Sequence, residues 1–200
     1  MSQQHRITYD LLDPSDFCLQ QWNKINNKSP YFIRNKYNKT LEDASILQDE
    51  YDVVWAMHSL YNLDKTRLKT SLKKLHSALK KNGTGIIYIA DSDSFYCSFY
   101  RKFIHFYKKE KLEWVNSNDI TRTMQSLDIP FEIKKLNFYH KIHIKNQHLL
   151  EVYLSKSSYE LYTPLGYWFD NKKMGDFLRK FIIEKEYIFP QSIDIIVYKS

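Results

Sequence analysis

The hydrophobic and polar positions of the chain fall into blocks of two periods, and the blocks predict its elements. Residues 5–12 (HRITYDLL) are a short apolar strand that stops at Asp13-Pro14-Ser15, because a proline cannot continue a strand ladder. A helix is expected over Asp16 to Ile25, with Phe17, Leu19 and Trp22 as apolar positions. Residues 31–37 (YFIRNKY) predict a second strand that leads into the polar loop NKTLEDAS. The run YDVVWAM, residues 51–57, has the strongest strand pattern and ends abruptly at a polar, aromatic tip containing His58, Ser59 and Tyr61. Asp64 is then expected to cap a helix, DKTRLKTSLKKLHSALKK. Leu68, Leu72, Leu75 and Leu79 recur there at helical spacing, and Gly83 ends it. GIIYIA, residues 85–90, follows as a buried strand.

Beyond the polar DSDS, the segment FYCSFYRKFIHFYKK places Phe95, Phe99, Phe103 and Phe106 at roughly helical spacing. That predicts a helix facing the core, with Tyr96, Tyr100 and Tyr107 on other faces where they could line a pocket. Ser117-Asn118-Asp119 are expected to cap a helix carrying Ile120, Met124 and Leu127. FEIKKLNFYHKIHI alternates as a strand does, HLLEVYLS is open between helix and strand, and GDFLRKFIIEKE reads as an amphipathic helix. SIDIIVYK is the closing strand. This alternation implies an α/β fold: a parallel sheet with crossover helices and a mixed edge. No linker or repeat divides residues 1–200, which read as a single domain. Ligands of such sheets sit at strand tips, so the end of the 51–57 strand is the place to look for chemistry.

Composition narrows the class. A chain that is 43% hydrophobic and 16% aromatic has the material for a core, which weighs against disorder. Its four glycines and five prolines weigh against a loop-rich β-sandwich. Cys18 and Cys97 form neither a metal spacing nor a disulfide framework, which fits a reducing compartment. With no apolar run of membrane-spanning length and no signal-peptide core after MSQQHR, a cytoplasmic location is expected, with no membrane partner. The net charge of +7 permits an acidic partner. However, the lysines are scattered through LKKL, ALKK and YKKEK as a solvated surface would have them, which weighs against nucleic acid. His140, His143 and His148 suggest a metal cluster, yet a three-residue offset on a strand puts the first two on opposite faces, so no metal is expected. Neither cysteine has a neighbouring His and acid to make it a nucleophile.

The stretch YDVVWAMHSLYNLDKTRLKTSLKKLHSALKKNGTGIIYIADSDS resembles the middle of a class I S-adenosylmethionine-dependent methyltransferase. It matches that family's fourth strand, the following helix, and the turn into the fifth strand, here Lys81-Asn82-Gly83. SNDITRTMQSLDIPFEI and IFPQSIDIIVYKS extend the likeness, which is greatest to histamine N-methyltransferase and related bacterial small-molecule methyltransferases. The resemblance implies a Rossmann-like sheet, mostly parallel with an antiparallel C-terminal strand, S-adenosyl-L-methionine as cofactor, and methyl transfer to a small-molecule amine or similar nucleophile. Carried over by position, it makes Asp13 the carboxylate for the cofactor's ribose hydroxyls, a task suited to a group that accepts two bonds in a fork. Thr40, Leu41 and Glu42 would lie along the adenine edge, and Met57 and His58 would close on the adenine and the methionine end. Tyr61 would face the substrate amine through its ring, Gln191 would contact the substrate, and His58 would assist deprotonation.

The chain departs from that pattern at its start. The family's first strand and its Gly-rich loop would precede residue 5, where only MSQQ stands, and no GxG occurs in that place. The sequence therefore reads as a methyltransferase-like domain that is N-terminally incomplete. Either the chain is part of a longer protein whose first strand was cut off or lies on a partner chain as an N-terminal partner segment, or its exposed edges pair through a homodimer, or the fold is kept without catalysis and acts through dimerisation or a partner chain.

Overall fold

The computed structural model describes residues 6–26, 30–108, 114–158 and 160–200. His5, at the expected start of the first strand, and Lys109 and Lys111 of YKKEK lie outside the described residues. The chain forms two compact units, Met1–Gln48 and Asp49–Ser200.

In the N-terminal unit, β1 (Ile7–Leu12) and β2 (Tyr31–Tyr37) pair in parallel and are joined by helix α1 (Asp16–Asn26). Their register runs from Ile7↔Tyr31 to Leu12↔Tyr37 and slips between Tyr9 and Leu11. Asp10 occupies the slip. Its carboxylate accepts a fork of bonds from Arg34 Nε and Nη2 at 2.9 and 2.8 Å and a third from the Asn35 amide at 3.1 Å. The ion pair thus fills the irregularity that the ladder leaves open.

The C-terminal unit is built on β3 (Tyr51–Met57), β4 (Leu79–Ala90), β5 (Phe131–His143) and β7 (Glu186–Lys199), with the short β6 (Ile182–Ile183) paired to β7. The order is β3-β4-β7-β5. β3 and β4 are parallel across helix α2 (Leu68–Ser77), whereas β7 runs antiparallel to both β4 and β5. The mixed α/β sheet with an antiparallel last strand is thus the one expected. The remaining helices are α3 (Phe95–Tyr107), α4 (Ser117–Gln125), α5 (Gln147–Ser158), α6 (Leu165–Phe169) and α7 (Lys172–Arg179).

Strand alternation gives each face of this sheet a different fate. Ile87 and Ile89 of β4 and Ile196 of β7 share one face and are fully buried, on the side where α2 packs on β4 and α4 on α2. On the other face, Tyr187 and Phe189 of β7 enter a core with Phe95, Phe99 and Phe103 of α3, Leu150 and Leu154 of α5, Trp168 of α6 and Leu178 of α7. Towards β3 that same face is open. Val53, Trp55 and Met57 are 53, 65 and 56% exposed, beside half-buried Ile86, Tyr88, Ile195 and Val197. Among the described residues, the outer edge of β3 has no ladder partner.

Several boundaries differ from the expected ones. Asp64 caps only a turn, accepting from the Thr66 amide at 2.8 Å, and α2 begins at Leu68. The helix stops at Ser77, and Leu79 already belongs to β4, because Lys80–Gly83 form an irregularity between the pairs Tyr51↔Leu79 and Val53↔Thr84. The left-handed residue there is Asn82, at φ 66°, not Gly83. Gly83 is needed for a close approach: a Cβ would lie 2.8 Å from the Lys80 carbonyl oxygen. Asn116, not Ser117, caps α4, through a reciprocal box with Asp119. HLLEVYLS is helical, α6 was not foreseen, and GDFLRKFIIEKE divides into the end of α7, β6 and the start of β7. Pro190 sits inside β7 at no cost to the β4 ladder, which ends at Ala90↔Ile193.

Candidate functional site

Buried Ala56 and exposed Met57 bring β3 to its tip, where His58 adopts a left-handed backbone at φ 46°. Its amide donates to the Tyr88 carbonyl at 2.9 Å, so the chain leaves the strand sharply and swings the imidazole over Tyr88. The two rings meet edge to face, 4.6 Å apart. A positive φ at a residue with a side chain costs free energy that the surroundings must offset, and such positions concentrate at functional sites. Leu60, buried, anchors the short helical turn that follows and places Tyr61 edge-on to Trp114 at 5.3 Å.

Helix α3 presents its phenylalanines to the core, with half-buried Tyr96 at the margin of that face, its ring 5.9 Å from Tyr153. The Tyr96 hydroxyl lies 3.1 Å from His140 Nε2 on β5. Tyr153 of α5 stacks on Phe189 at 5.0 Å, with the Tyr96 ring 5.9 Å away, and its hydroxyl accepts from Gln191 Nε2 at 2.8 Å. Gln191 is buried on β7, and its Oε1 accepts from the buried Ser94 hydroxyl at 2.5 Å. A charge on Tyr61 or Tyr88 would raise the Tyr96 pKa further, and one on His140 lowers that of His58, as their proximity requires. His58, Tyr61 and Gln191 therefore belong to one cluster of rings and hydroxyls. Its other members are Tyr88, Tyr96, His140 and Tyr153.

Electrostatics keep this cluster uncharged. Partial burial lowers the pKa of both histidines below the ordinary 6.5, and for His58 the neighbouring His140 adds to it. Burial raises Tyr96 and, much more strongly, Tyr153. Asp91, nearby at the end of β4, is occupied elsewhere. It accepts from the Asp93 and Ser94 amides, Ser192 Oγ and Lys135 Nζ. The arrangement can hold a flat, neutral group against its rings and pass a proton between its hydroxyls and His140.

The sequence-derived positions in the N-terminal unit are described within that unit. Asp13 follows β1, and its Oδ1 accepts from the Ser15 amide at 2.7 Å in the turn before α1, whose first turn is capped by Ser15 Oγ accepting from the Cys18 amide at 3.3 Å. Thr40 Oγ1 donates to Asp43 Oδ2 at 2.9 Å within a turn, Leu41 is buried and Glu42 is half-buried. Of the tyrosines expected to be available on α3, only Tyr96 joins the cluster. Tyr100 is buried against Trp114, and Tyr107 stacks on Tyr167. Burial pushes the Cys97 thiol up to about 12, which leaves it inert at neutral pH. Two surface depressions of about 480 and 450 Å³ lie over α3, lined by Arg101, Lys102, His105, Phe106, Lys172 and Lys173 among others, and include none of the predicted site residues. Among the described residues, no helix is long and apolar enough to cross a membrane.

Neither a protein-family model nor a curated protein matches this sequence. Solved structures do. A Bacillus halodurans protein provisionally named as a methyltransferase superimposes with a TM-score of 0.64 at 9% identity, over 97% of this chain and 82% of its own. A SAM-dependent methyltransferase of Archaeoglobus fulgidus gives 0.52 at 15% identity, over 98 and 86%. One from Thermotoga maritima, named as a candidate histamine N-methyltransferase, gives 0.51 at 15%, over 95 and 72%. At these identities the likeness establishes the architecture: the chain has the Rossmann-like fold of S-adenosylmethionine-dependent methyltransferases.

Proposed function

We propose that this protein is an S-adenosylmethionine-dependent methyltransferase acting on a small-molecule amine or similar nucleophile, with residues 1–200 as one methyltransferase-like domain. The observation that carries the reading is the gathering of His58, Tyr61 and Gln191 around Tyr88, Tyr96 and Tyr153 at the strand tips of a methyltransferase-type sheet. Methyl transfer from a sulfonium asks for an aligned nucleophile and the exclusion of water, and aromatic walls supply both. The cofactor-binding roles proposed for Asp13, Met57 and His58 are supported by the kind of side chain each offers. Asp13 keeps acceptor capacity beyond the bond from Ser15, since a carboxylate offers about four lone-pair sites. Met57 presents an exposed thioether side chain at the tip of β3, with the His58 ring beside it. Thr40, Leu41 and Glu42 would border the adenine. When bound, S-adenosylmethionine supplies an electrophilic methyl group.

A second reading keeps the fold without catalysis, acting through a homodimer or an N-terminal partner segment. It is favoured by the open β3 edge and by the exposed row Val53, Trp55 and Met57, an apolar surface of the kind that marks interaction sites. Titration with S-adenosylhomocysteine by calorimetry, with the solution mass from sedimentation, separates the two. Micromolar binding that weakens in Asp13→Ala supports the enzyme. A well-folded dimer that binds no cofactor supports the second reading.

A further inference from the structure

The cluster is wired in one direction, from the protein interior outward. Ser94, fully buried at the start of α3, donates to Gln191 Oε1, and the Gln191 amide nitrogen donates to the Tyr153 oxygen. A phenol carries one proton. With its oxygen accepting from Gln191, Tyr153 has that proton left to turn towards the neighbouring Tyr96, whose ring lies 5.9 Å away, and the Tyr96 hydroxyl, 3.1 Å from His140 Nε2, has its own proton to point there. His140 then keeps Nε2 bare and carries its hydrogen on Nδ1. Buried chains of this kind are rigid when every member is satisfied. The chain is also anchored, because the Ser94 amide donates to Asp91 Oδ1 at 3.1 Å.

We propose that Tyr96 and His140 together are the proton acceptor of this site, and that its substrate is a neutral nucleophile bearing a proton on nitrogen or oxygen. The proposal rests on the methyl-transfer reading. As the nucleophile's lone pair bonds to the methyl carbon, the methyl–sulfur electron pair returns to sulfur, which leaves as a neutral thioether. The nucleophile's N–H or O–H bond breaks towards the Tyr96 oxygen, and the Tyr96 proton passes to His140 Nε2. The product leaves neutral, and the imidazolium returns its proton to water. Gln191 and Tyr153 are positioning residues, which hold the Tyr96 proton towards His140.

The groups facing the pair agree with a neutral substrate. They are His58 from the tip of β3, Tyr88 from β4, Tyr61, Tyr153 from α5, and Phe138 on the same strand as His140. Burial lowers the pKa of His58 among them and of His140 in the pair itself, and an ammonium brought here would meet no compensating anion from these side chains.

The test joins a spectroscopic readout to a kinetic one. Nitrogen-15 NMR of histidine-labelled protein should show His140 with a bare Nε2, and Tyr96→Phe should move the ring towards the Nε2–H tautomer. His140→Gln keeps an acceptor for Tyr96 but cannot take up a proton. It should slow methyl transfer to hydroxyl and amine acceptors by 10² or more and abolish the loss of rate at acid pH, with S-adenosylhomocysteine affinity within twofold of wild type. A protonated Nε2 in the wild type, or a His140→Gln variant that transfers at the wild-type rate, overturns the proposal alone. Failure of the wild type to bind S-adenosylhomocysteine overturns the methyltransferase reading and this proposal with it.

Discussion

Gly85 of β4 lies directly beneath the ring of its cross-strand partner Tyr198 on β7, so close that a Cβ would fall 1.9 Å from the phenol Cζ. The glycine is there for space, since its backbone is ordinary extended strand. The ring covers the gap left by the absent side chain, and burial raises the Tyr198 pKa well above 10. Gly85→Ala should displace the ring and destabilise the C-terminal unit by about 1–3 kcal/mol, the usual range for overpacking, read as a lower urea midpoint with unchanged m-value.

Lys135 on β5 extends its ammonium between two carboxylates that are almost fully buried, Asp91 and Asp194, the latter at 3.1 Å. Removing the cation by Lys135→Met leaves both carboxylates without it. The expected cost is about 2 kcal/mol, below the range for a fully buried pair because the lysine side chain is half exposed. Equilibrium denaturation at pH 7 measures it.

The same cluster sets the acid limb. Burial acts to raise the Asp91 pKa, but the hydrogen bonds from Lys135, Ser192 and the Asp93 amide, with the Lys135 charge, outweigh it and hold the group below its ordinary 3.8. A depressed carboxylate contributes stability that is present above its unfolded pKa and lost as pH falls through the folded one. The C-terminal unit should therefore lose this contribution only below about pH 4, and Lys135→Met should move the acid-unfolding midpoint upward.

Asn116 caps α4 by accepting from the amides of Asn118 and Asp119 at 2.9 and 3.3 Å, while its own amide donates to Asp119 Oδ2 at 3.1 Å. Asn116→Ala should cost about 1 kcal/mol, and hydrogen exchange should quicken first in the opening turn of α4. Asn116→Asp should retain most of the stability, which separates capping from a mere change in volume.

How much of this was legible beforehand depended on how local the cause was. The strands at 51–57 and 85–90 and the phenylalanine face of α3 follow from periodicity alone, and they stand where expected. The strand tip with His58 and Tyr61 could be found because it ends a continuous apolar run. Tyr153 gave no such signal: its segment had no clear period, and it reaches Gln191 and Phe189 only through tertiary packing. His140 was weighed as a metal ligand. Its meeting with Tyr96, 44 residues away, is fixed by the register of β5 on β7, a long-range property that no local window encodes. The turn at Asn82 was misassigned for a related reason. Glycine is the usual left-handed residue, but here the glycine was needed for close packing, and asparagine adopted the positive φ.

The exposed row on β3 has an optical consequence. Trp168 is fully enclosed in the aromatic core, whereas Trp55 stands in water on the open sheet face. The first should emit at short wavelength and resist acrylamide, and the second should emit to the red and be quenched. Whatever settles on that face, whether a second copy or a partner segment, has to dry Trp55. With Trp22, itself 44% exposed, replaced by Phe, the protein carries its own fluorescent gauge of that surface.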